Sequence, residues 1–557
     1  MNDTPVIEHV VLLMLENRSF DHMLGYLPHP DRDFNGLRNG VYVNMSSGPD
    51  GLVPIPVSDT GTPDLVDPDH SHMGVVEQLE GFGGVEINGG FVKNYAEFRD
   101  DPAVGPLVMQ CLNPQSACPI LAELALQFAV CHAWNCSVQG ETWPNRNFAH
   151  AATSDGEADI DFGFYYDKTI FEQLASAKAT WRIYHDGPAQ AWFFRKLWRR
   201  RTIIDFLLNR TPKIGNWYEQ ADFYEHVTNH CLPSYSFIEP AHMTLGSDIG
   251  DPRQTNSQHP HNNARNADDF YAGETLIKNI FEALASEPDV FAKTLFLITY
   301  DEHGGLYDHM PPPPAKPPGD PVWRGPTRWI AGIIRNMVGG LQGRPRAMPC
   351  DFKHRGVRVP AVLISPWIRP GTLVNKDLEH ASIPKTLRAL FAPGLPPLTH
   401  RDGDKDLNTF LDVVTNDPLP TPRRRPGDPD GDSQYALPDL SALAPALHRP
   451  VGRDVVAPTL ATPEPSRVDE QLLALSNRVS DKLSSKPVIV ARALQRRTRR
   501  LRAQPWELDA LTGDHRSAVT AAATFAKAAR QARVQPARRR LLAARLVRRK
   551  GGSDAPR

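Results

Sequence analysis

The sequence predicts an α/β fold: a doubly wound, mostly parallel sheet with helices on both faces, followed by a basic helical C-terminal extension. Three observations carry the prediction. Four short apolar runs are continuous rather than alternating, as in strands buried on both faces. Helical periodicity fills the intervals between them, and strands alternating with helices imply a parallel sheet. Each run closes on polar or turn residues, several of them acidic, at the strand ends where such sheets bind ligands.

The first run, His9-Val-Val-Leu-Leu-Met-Leu15, closes on Glu16-Asn17, and Arg18–Tyr26 follows as a helix that Asn17 could cap. Ile120–Leu126 repeats its apolar residues at helical spacing. The second run, Ser234–Ile238, closes on Glu239-Pro240, and Thr275–Leu284 is the next helix. The third, Thr294–Tyr300, closes on Asp301-Glu302; the fourth, Val359–Ile364, closes on Ser365-Pro366. All four read as parallel strands. The alternation fades after about residue 412, which sets a catalytic domain at 1–415. Residues 416–464, rich in proline from Pro418 to Pro450, read as a linker or surface wrap. Residues 465–557 turn to Ala, Leu and Arg, with Arg496-Arg497, Arg499-Arg500, Arg538-Arg-Arg540 and Arg548-Arg-Lys550, and read as the basic helical extension.

Composition limits the function classes. Fifty-two prolines in 557 residues mean abundant loops, yet 41% apolar residues suffice for a large core, so neither a disordered chain nor a collagen is expected. A net charge of −2 argues against a dedicated nucleic-acid site, although the basic end makes the preceding residues clearly acidic. The N-terminus shows no signal-peptide pattern and no run is long enough to span a membrane, so a soluble, cytoplasmic protein is the default, with export by a signal-independent route as the alternative. Six cysteines are too few for a disulfide scaffold and are expected to be reduced and mostly buried.

Chemistry concentrates in three segments. Asp301-Glu302-His303-Gly304-Gly305 follows an apolar strand, and carboxylates crowded at a buried strand end repel unless a cation neutralises them. Alternatively, Asp301 caps a helix and Glu302 is solvated. Glu16-Asn17 offers a second carboxylate and an amide oxygen at another strand end. In Gln139-Gly-Glu-Thr-Trp-Pro-Asn-Arg146, a hydroxyl precedes what reads as a helix start, where backbone amides favour phosphate and Arg146 adds donors. Thr142 is either a metal-activated nucleophile or a plain N-cap.

Glu16-Asn-Arg-Ser-Phe-Asp-His22, Gly140-Glu-Thr-Trp-Pro-Asn-Arg146 and Tyr300-Asp-Glu-His-Gly-Gly305 closely resemble bacterial phosphoesterases, the family of phospholipases C and certain acid phosphatases. The resemblance runs over roughly residues 6–412, through Thr169–Leu174, Trp181–Tyr184, Tyr307-Asp-His309, Val359–Ser365 and His380–Thr386. It implies an alkaline-phosphatase-like fold, with Glu16, Asn17, Asp301 and Glu302 as metal ligands and Thr142 as nucleophile and further ligand. His259 and His72 match the substrate-side histidines, with His261 and His70 as their respective alternates. Arg146 and His303 are assigned to substrate phosphate. His309 and His380 match motif positions for which a structural role is equally open. The chain departs from phospholipase-like members in lacking an export signal, in having Gly140-Glu141 where they often carry glycine-proline, and in ending on a basic tail rather than β-rich repeats.

The expected activity is thus metal-dependent hydrolysis of phosphoric esters, phospholipase C-like, with one or two divalent ions and a phospho-threonine intermediate. An acid-phosphatase-like phosphomonoesterase is the alternative. The spacing Thr142-Trp-Pro144-Asn-Arg146 imitates a sulfatase nucleophile context, but threonine cannot be oxidised to the aldehyde those enzymes use. From another class, a non-catalytic lipid- or partner-binding protein would act through the basic tail, which is also where peripheral membrane contact is expected. A phosphate ester, phospholipid included, is the expected small partner.

Overall fold

The computed structural model describes residues 6–441 and 443, except 49, 64, 161–163, 187–188, 198–216, 243–254, 261–267, 320–349, 427–435 and 442. His261 and the segment 465–557 therefore lie outside the described residues. The strands are β1 (His9–Leu15), the hairpin β2 (Val43–Gly48) and β3 (Gly51–Pro56), β4 (Ala129–Cys131), β5 (Trp134–Asn135), β6 (Trp181–His185), β7 (Trp217–Tyr218), β8 (Tyr235–Glu239), β9 (Thr294–Tyr300), β10 (Ala361–Ile364), β11 (Thr372–Val374) and β12 (Leu378–Glu379). Eight of them form one sheet in the order β11-β4-β10-β9-β1-β8-β6-β7. The first strand is central and later strands add on both sides of it, which is the doubly wound pattern.

β1 pairs in parallel with β8 and β9, β6 in parallel with β7 and β8, and β11 in parallel with β4. β10 departs from expectation: it runs antiparallel to both of its neighbours, with Ala361 opposite Thr299 and Val362 opposite Val130. A continuous apolar run reports burial on both faces and carries no information on direction. The sheet core is apolar and buried, as Val10–Leu15, Leu295–Ile298 and Ala361–Ile364 show. The helix Pro119–Gln127 packs with Asp268–Ser286, and Thr142–Ala151 packs with Ile170–Ser176 and Ser382–Phe391.

The helix after β1 is shorter than the sequence suggests, Phe20–Leu24, and Ser19 rather than Asn17 caps it, its Oγ accepting from His22 N. Residues between β1 and β4 build a cap around Phe91, Val92, Tyr95, Val108, Met109 and Cys111, which pack on Leu306 and Tyr307 just beyond β9. The cap thereby meets the sheet at the end where its acids emerge. Further along the chain, Leu419 and Arg423 donate backbone hydrogen bonds to Trp367 O (3.1 Å) and Pro366 O (2.8 Å). All six cysteines are free thiols, with Cys111, Cys118, Cys131 and Cys136 buried. Among the described residues, no helix is long and apolar enough to cross a membrane.

Candidate active site

Parallel pairing of Leu15 with Tyr300 fixes the first feature of the site, because Glu16-Asn17 and Asp301-Glu302 then leave the sheet side by side. Asn17 turns the chain in the left-handed region (φ 55°), which asparagine tolerates better than most residues. Its N–H donates to Asp301 Oδ1 at 3.0 Å. Gly304 is required here: its φ is +66° and a Cβ would sit 2.3 Å from Asn17 O. The turn brings Gly304 N–H to Glu302 Oε2 at 2.6 Å. Glu302 is fully buried, and its other oxygen, Oε1, has no hydrogen-bond partner.

Thr142 opens the helix Thr142–Ala151, every residue of which is buried. Pro144 fits its first turn because N–H groups there have no intrahelical partner to lose. Asn145 ties the preceding loop: its Oδ1 accepts from Ser137 N (2.9 Å) and Val138 N (3.0 Å), and its Nδ2 donates to Val138 O, Gly140 O and Glu141 O. The Thr142 hydroxyl consequently faces Asn17, donating to Oδ1 at 3.4 Å.

Arg146 lies beneath this cluster and is fully buried. It donates to Asp301 Oδ2 (2.9 Å), Glu239 Oε1 (3.2 Å), Met14 O and Leu15 O, and its remaining carboxylate neighbour, Glu16 Oε1, is 4.0 Å away. The guanidinium assigned to phosphate by sequence is thus found stapling the ends of β1, β8 and β9.

The histidines divide. His259 Nε2 accepts from Asn17 Nδ2 at 2.8 Å while its Nδ1 donates to Pro260 O. His70 stands beside it, ring centroids 6.0 Å apart, with Nε2 3.5 Å from Asn17 Nδ2 and Nδ1 bonded to Pro68 O. Asp67, which drew no notice in the sequence, completes a cluster with these two. His72 turns instead to the carbonyl of Gln139. His303 packs edge-on against Phe91 and meets Gln78 Oε1 at 2.9 Å. His380 donates to Asp301 O at 2.6 Å and accepts from the Trp134 indole, so it braces the backbone behind the cluster. His309 belongs to another knot, with Asp21 and Asp308, which Arg358 neutralises at 2.9 Å from each carboxylate.

Sequence reading missed two groups at the centre. Glu239, the last residue of β8, carries the same signal as Glu16, an acid closing an apolar run. His242 carries none; its Nδ1 lies 2.7 Å from Glu16 Oε2 and its Nε2 2.7 Å from Glu239 Oε1.

The electrostatics follow from this crowding. Burial pushes the Asp301 carboxyl up against the pull of Arg146, and Glu16 and Glu302 add to the rise. Burial opposes ionisation of Glu16 too, yet His242, then Arg146 and His259, hold it well below the usual carboxylate range. Burial disfavours the charged form of His242, but Glu16 and Glu239 overcome this and raise it to about 9. For His70, Asp67, Glu302 and Glu141 likewise outweigh burial and raise it to about 10. Four carboxylates (Glu16, Glu239, Asp301, Glu302) crowd around Arg146 and His242, an excess of acidic groups over basic ones. That excess, the hard oxygen donors of Glu16, Asn17, Asp301 and Glu302, and the unpartnered Glu302 Oε1 fit a divalent cation.

The model of the phosphoesterase family matches residues 7–394. Non-specific phospholipase C6 of Arabidopsis thaliana is 34% identical over 461 residues, which cover 78% of this chain and 76% of its own. Phospholipase C A of Mycobacterium tuberculosis is 29% identical over 428 residues, 71% of this chain and 75% of its own. Among solved structures, the lipoteichoic acid synthase LtaP from Listeria monocytogenes aligns over 74% of this chain and 76% of its own, with a TM-score of 0.31 at 9% identity. Every residue gathered at the strand ends falls inside the matched span, and the chain belongs to the phosphoesterase family, a hydrolase of phosphoester bonds.

Proposed function

We propose that the chain is a divalent-metal-dependent phosphoric ester hydrolase of phospholipase C type, with Thr142 as its nucleophile. The observation that carries this is the Thr142 hydroxyl, at a buried helix start and 3.4 Å from the Oδ1 of Asn17, whose N–H is bonded to Asp301. Glu16, Asn17, Asp301, Glu302 and Thr142 would hold the ion. Once bound, a divalent ion supplies positive charge that lowers a hydroxyl's pKa and offsets charge on phosphoryl oxygens. The names of the plant and mycobacterial relatives support a phospholipid as substrate.

In the first step the Thr142 hydroxyl gives up its proton to solvent, and its Oγ–phosphorus bond forms as the bond from phosphorus to the leaving alcohol breaks in line. N–H groups at the start of the Thr142 helix favour the charge that spreads over the phosphoryl oxygens. His259, its Nδ1 held by Pro260 O, would first take up a proton at Nε2, releasing the Asn17 amide from that nitrogen, and then give this proton to the leaving oxygen. Of the two other candidates, the side-by-side rings favour His70 as its partner over His72, which is engaged with Gln139. Water then cleaves the threonine–phosphorus bond, restoring the hydroxyl and releasing a phosphomonoester, or phosphate from a monoester.

A chromogenic phosphodiester and a phosphomonoester, each assayed with and without chelator, test the reading. Chelation should abolish turnover. Thr142→Ala should lose several orders of magnitude and Thr142→Ser should keep part of the activity, because its hydroxyl reaches the same neighbours. A quenched wild-type sample should carry phosphate on Thr142. Near-normal turnover by a metal-loaded Thr142→Ala protein would reduce the residue to a helix start.

A further inference from the structure

We propose that His242 is a positioning residue for the metal ligand Glu16, its ring held between Glu16 and Glu239. This rests on the metal-dependent reading above. Its two nitrogens lie 2.7 Å from Glu16 Oε2 and 2.7 Å from Glu239 Oε1. One planar ring thus reaches both carboxylates at once, through nitrogens on opposite sides of it.

The consequence falls on Glu16. Arg146, also beside it, is 4.0 Å from Oε1, at the limit of an ion pair, and spends its donors on Asp301, Glu239 and two carbonyls. His242 therefore fixes the carboxylate through Oε2 and leaves Oε1 for an ion. Glu239 fixes His242 in turn. It is fully buried and shared with Arg146. Groups that hold a ligand in orientation tune metal affinity without touching the metal. The clamp is also removable. His242 retains 13% exposure of its side chain, the most of the three, so replacing it opens little of the core.

Mn2+ alone, titrated calorimetrically into the full chain, tests this without substrate. His242→Gln should weaken Mn2+ binding by about 10- to 100-fold. Glu239→Gln, which keeps an acceptor but removes its charge, should weaken it less. Raising Mn2+ should restore most of the turnover of His242→Gln, since Thr142 is untouched. Unchanged Mn2+ affinity in both variants overturns the proposal. A lowered melting temperature with normal affinity does so as well, for it makes His242 a structural contact only. If His242→Gln does not fold, the Glu239→Gln titration decides alone. A wild-type chain that binds no Mn2+ fails one step earlier, and the metal-dependent reading falls with it.

Discussion

His150 enters the core with both ring nitrogens unbonded, set among Phe171, Phe194 and Phe237 at 5.3, 5.9 and 4.6 Å. Burial pushes its pKa down to about 3, against Glu239 and with help from Arg146 and His380. In the unfolded chain the same ring titrates near 6.5. Between those values the unfolded state binds more protons, so stability is lost as pH falls below about 6.5, by up to ~1.4 kcal/mol per unit. His150→Leu should therefore gain about 2 kcal/mol on wild type at pH 5 relative to its standing at pH 8. Urea titrations at both pH values measure this, and the comparison cancels any packing cost common to the two. Equal differences at pH 5 and 8 would show that the ring does not change its charge on unfolding. At this scale, Glu16 and Asp301 were legible because an acid closing an apolar run is improbable unless it has work there. His242 and Asp67 were not, because their partners are set by how separate loops converge. Arg146 was legible as part of a motif, but its direction was not: its partners are strand ends more than ninety residues away in either direction.

The helix Thr142–Ala151 owes its starting point to one side chain. Asn145 makes five hydrogen bonds back into residues 137–141, all buried. Asn145→Ala removes the partner of the Ser137 and Val138 N–H groups, while the Glu141 and Val138 carbonyls keep bonds from Asn145 N and Cys136 Sγ, at about 1 to 3 kcal/mol for each group left unpaired that water cannot reach. A loss of about 3 to 5 kcal/mol is expected, with a large fall in melting temperature and in turnover, because the loop no longer fixes Thr142. Thermal melts of the variant check it; a melt within a degree or two of wild type would mean that the helix start is held by its packing instead. Helix content here was readable from Pro144 and the residues after it, whereas the tie from Asn145 was not, since a polar residue in a first turn looks the same whether it caps or points to water. Strand identity was readable for β1, β8, β9 and β10, but not the reversal of β10, which depends on how the chain returns to the sheet after the Asp301 turn. The hairpin β2–β3 escaped notice for another reason: Pro54 and Pro56 interrupt the apolar residues of β3 and argue against a strand, so the Gly48-Pro-Asp-Gly51 turn sequence is its clearest signal.

For the molecule as a whole, charge is divided more sharply than its net of −2 suggests. Residues 465–557 hold 22 Lys and Arg against 7 Asp and Glu, a balance of +15, so residues 1–464 carry −17. The family match ends at residue 394, well before this change of sign. Such an asymmetry is legible from sequence because it needs only counting, but Coulomb attraction is non-directional and does not say what the basic segment meets. We propose an anionic membrane surface, with a gain of ~1 kcal/mol for each basic residue brought near it. The competing arrangement has the segment drawn onto the acidic remainder of the chain. Removing residues 465–557 separates the two. The shortened chain should hydrolyse a small soluble phosphodiester at close to the full rate, because Thr142 and the ligand set lie far upstream in sequence. On vesicles containing anionic lipid, the full chain should bind tightly at low salt and progressively less as salt rises, and the shortened chain should bind weakly at every salt concentration. Equal vesicle binding by both proteins would exclude the membrane role. A shortened chain that is folded yet inactive on the soluble ester would mean that the basic segment contributes to the active site, and that 465 is not a boundary.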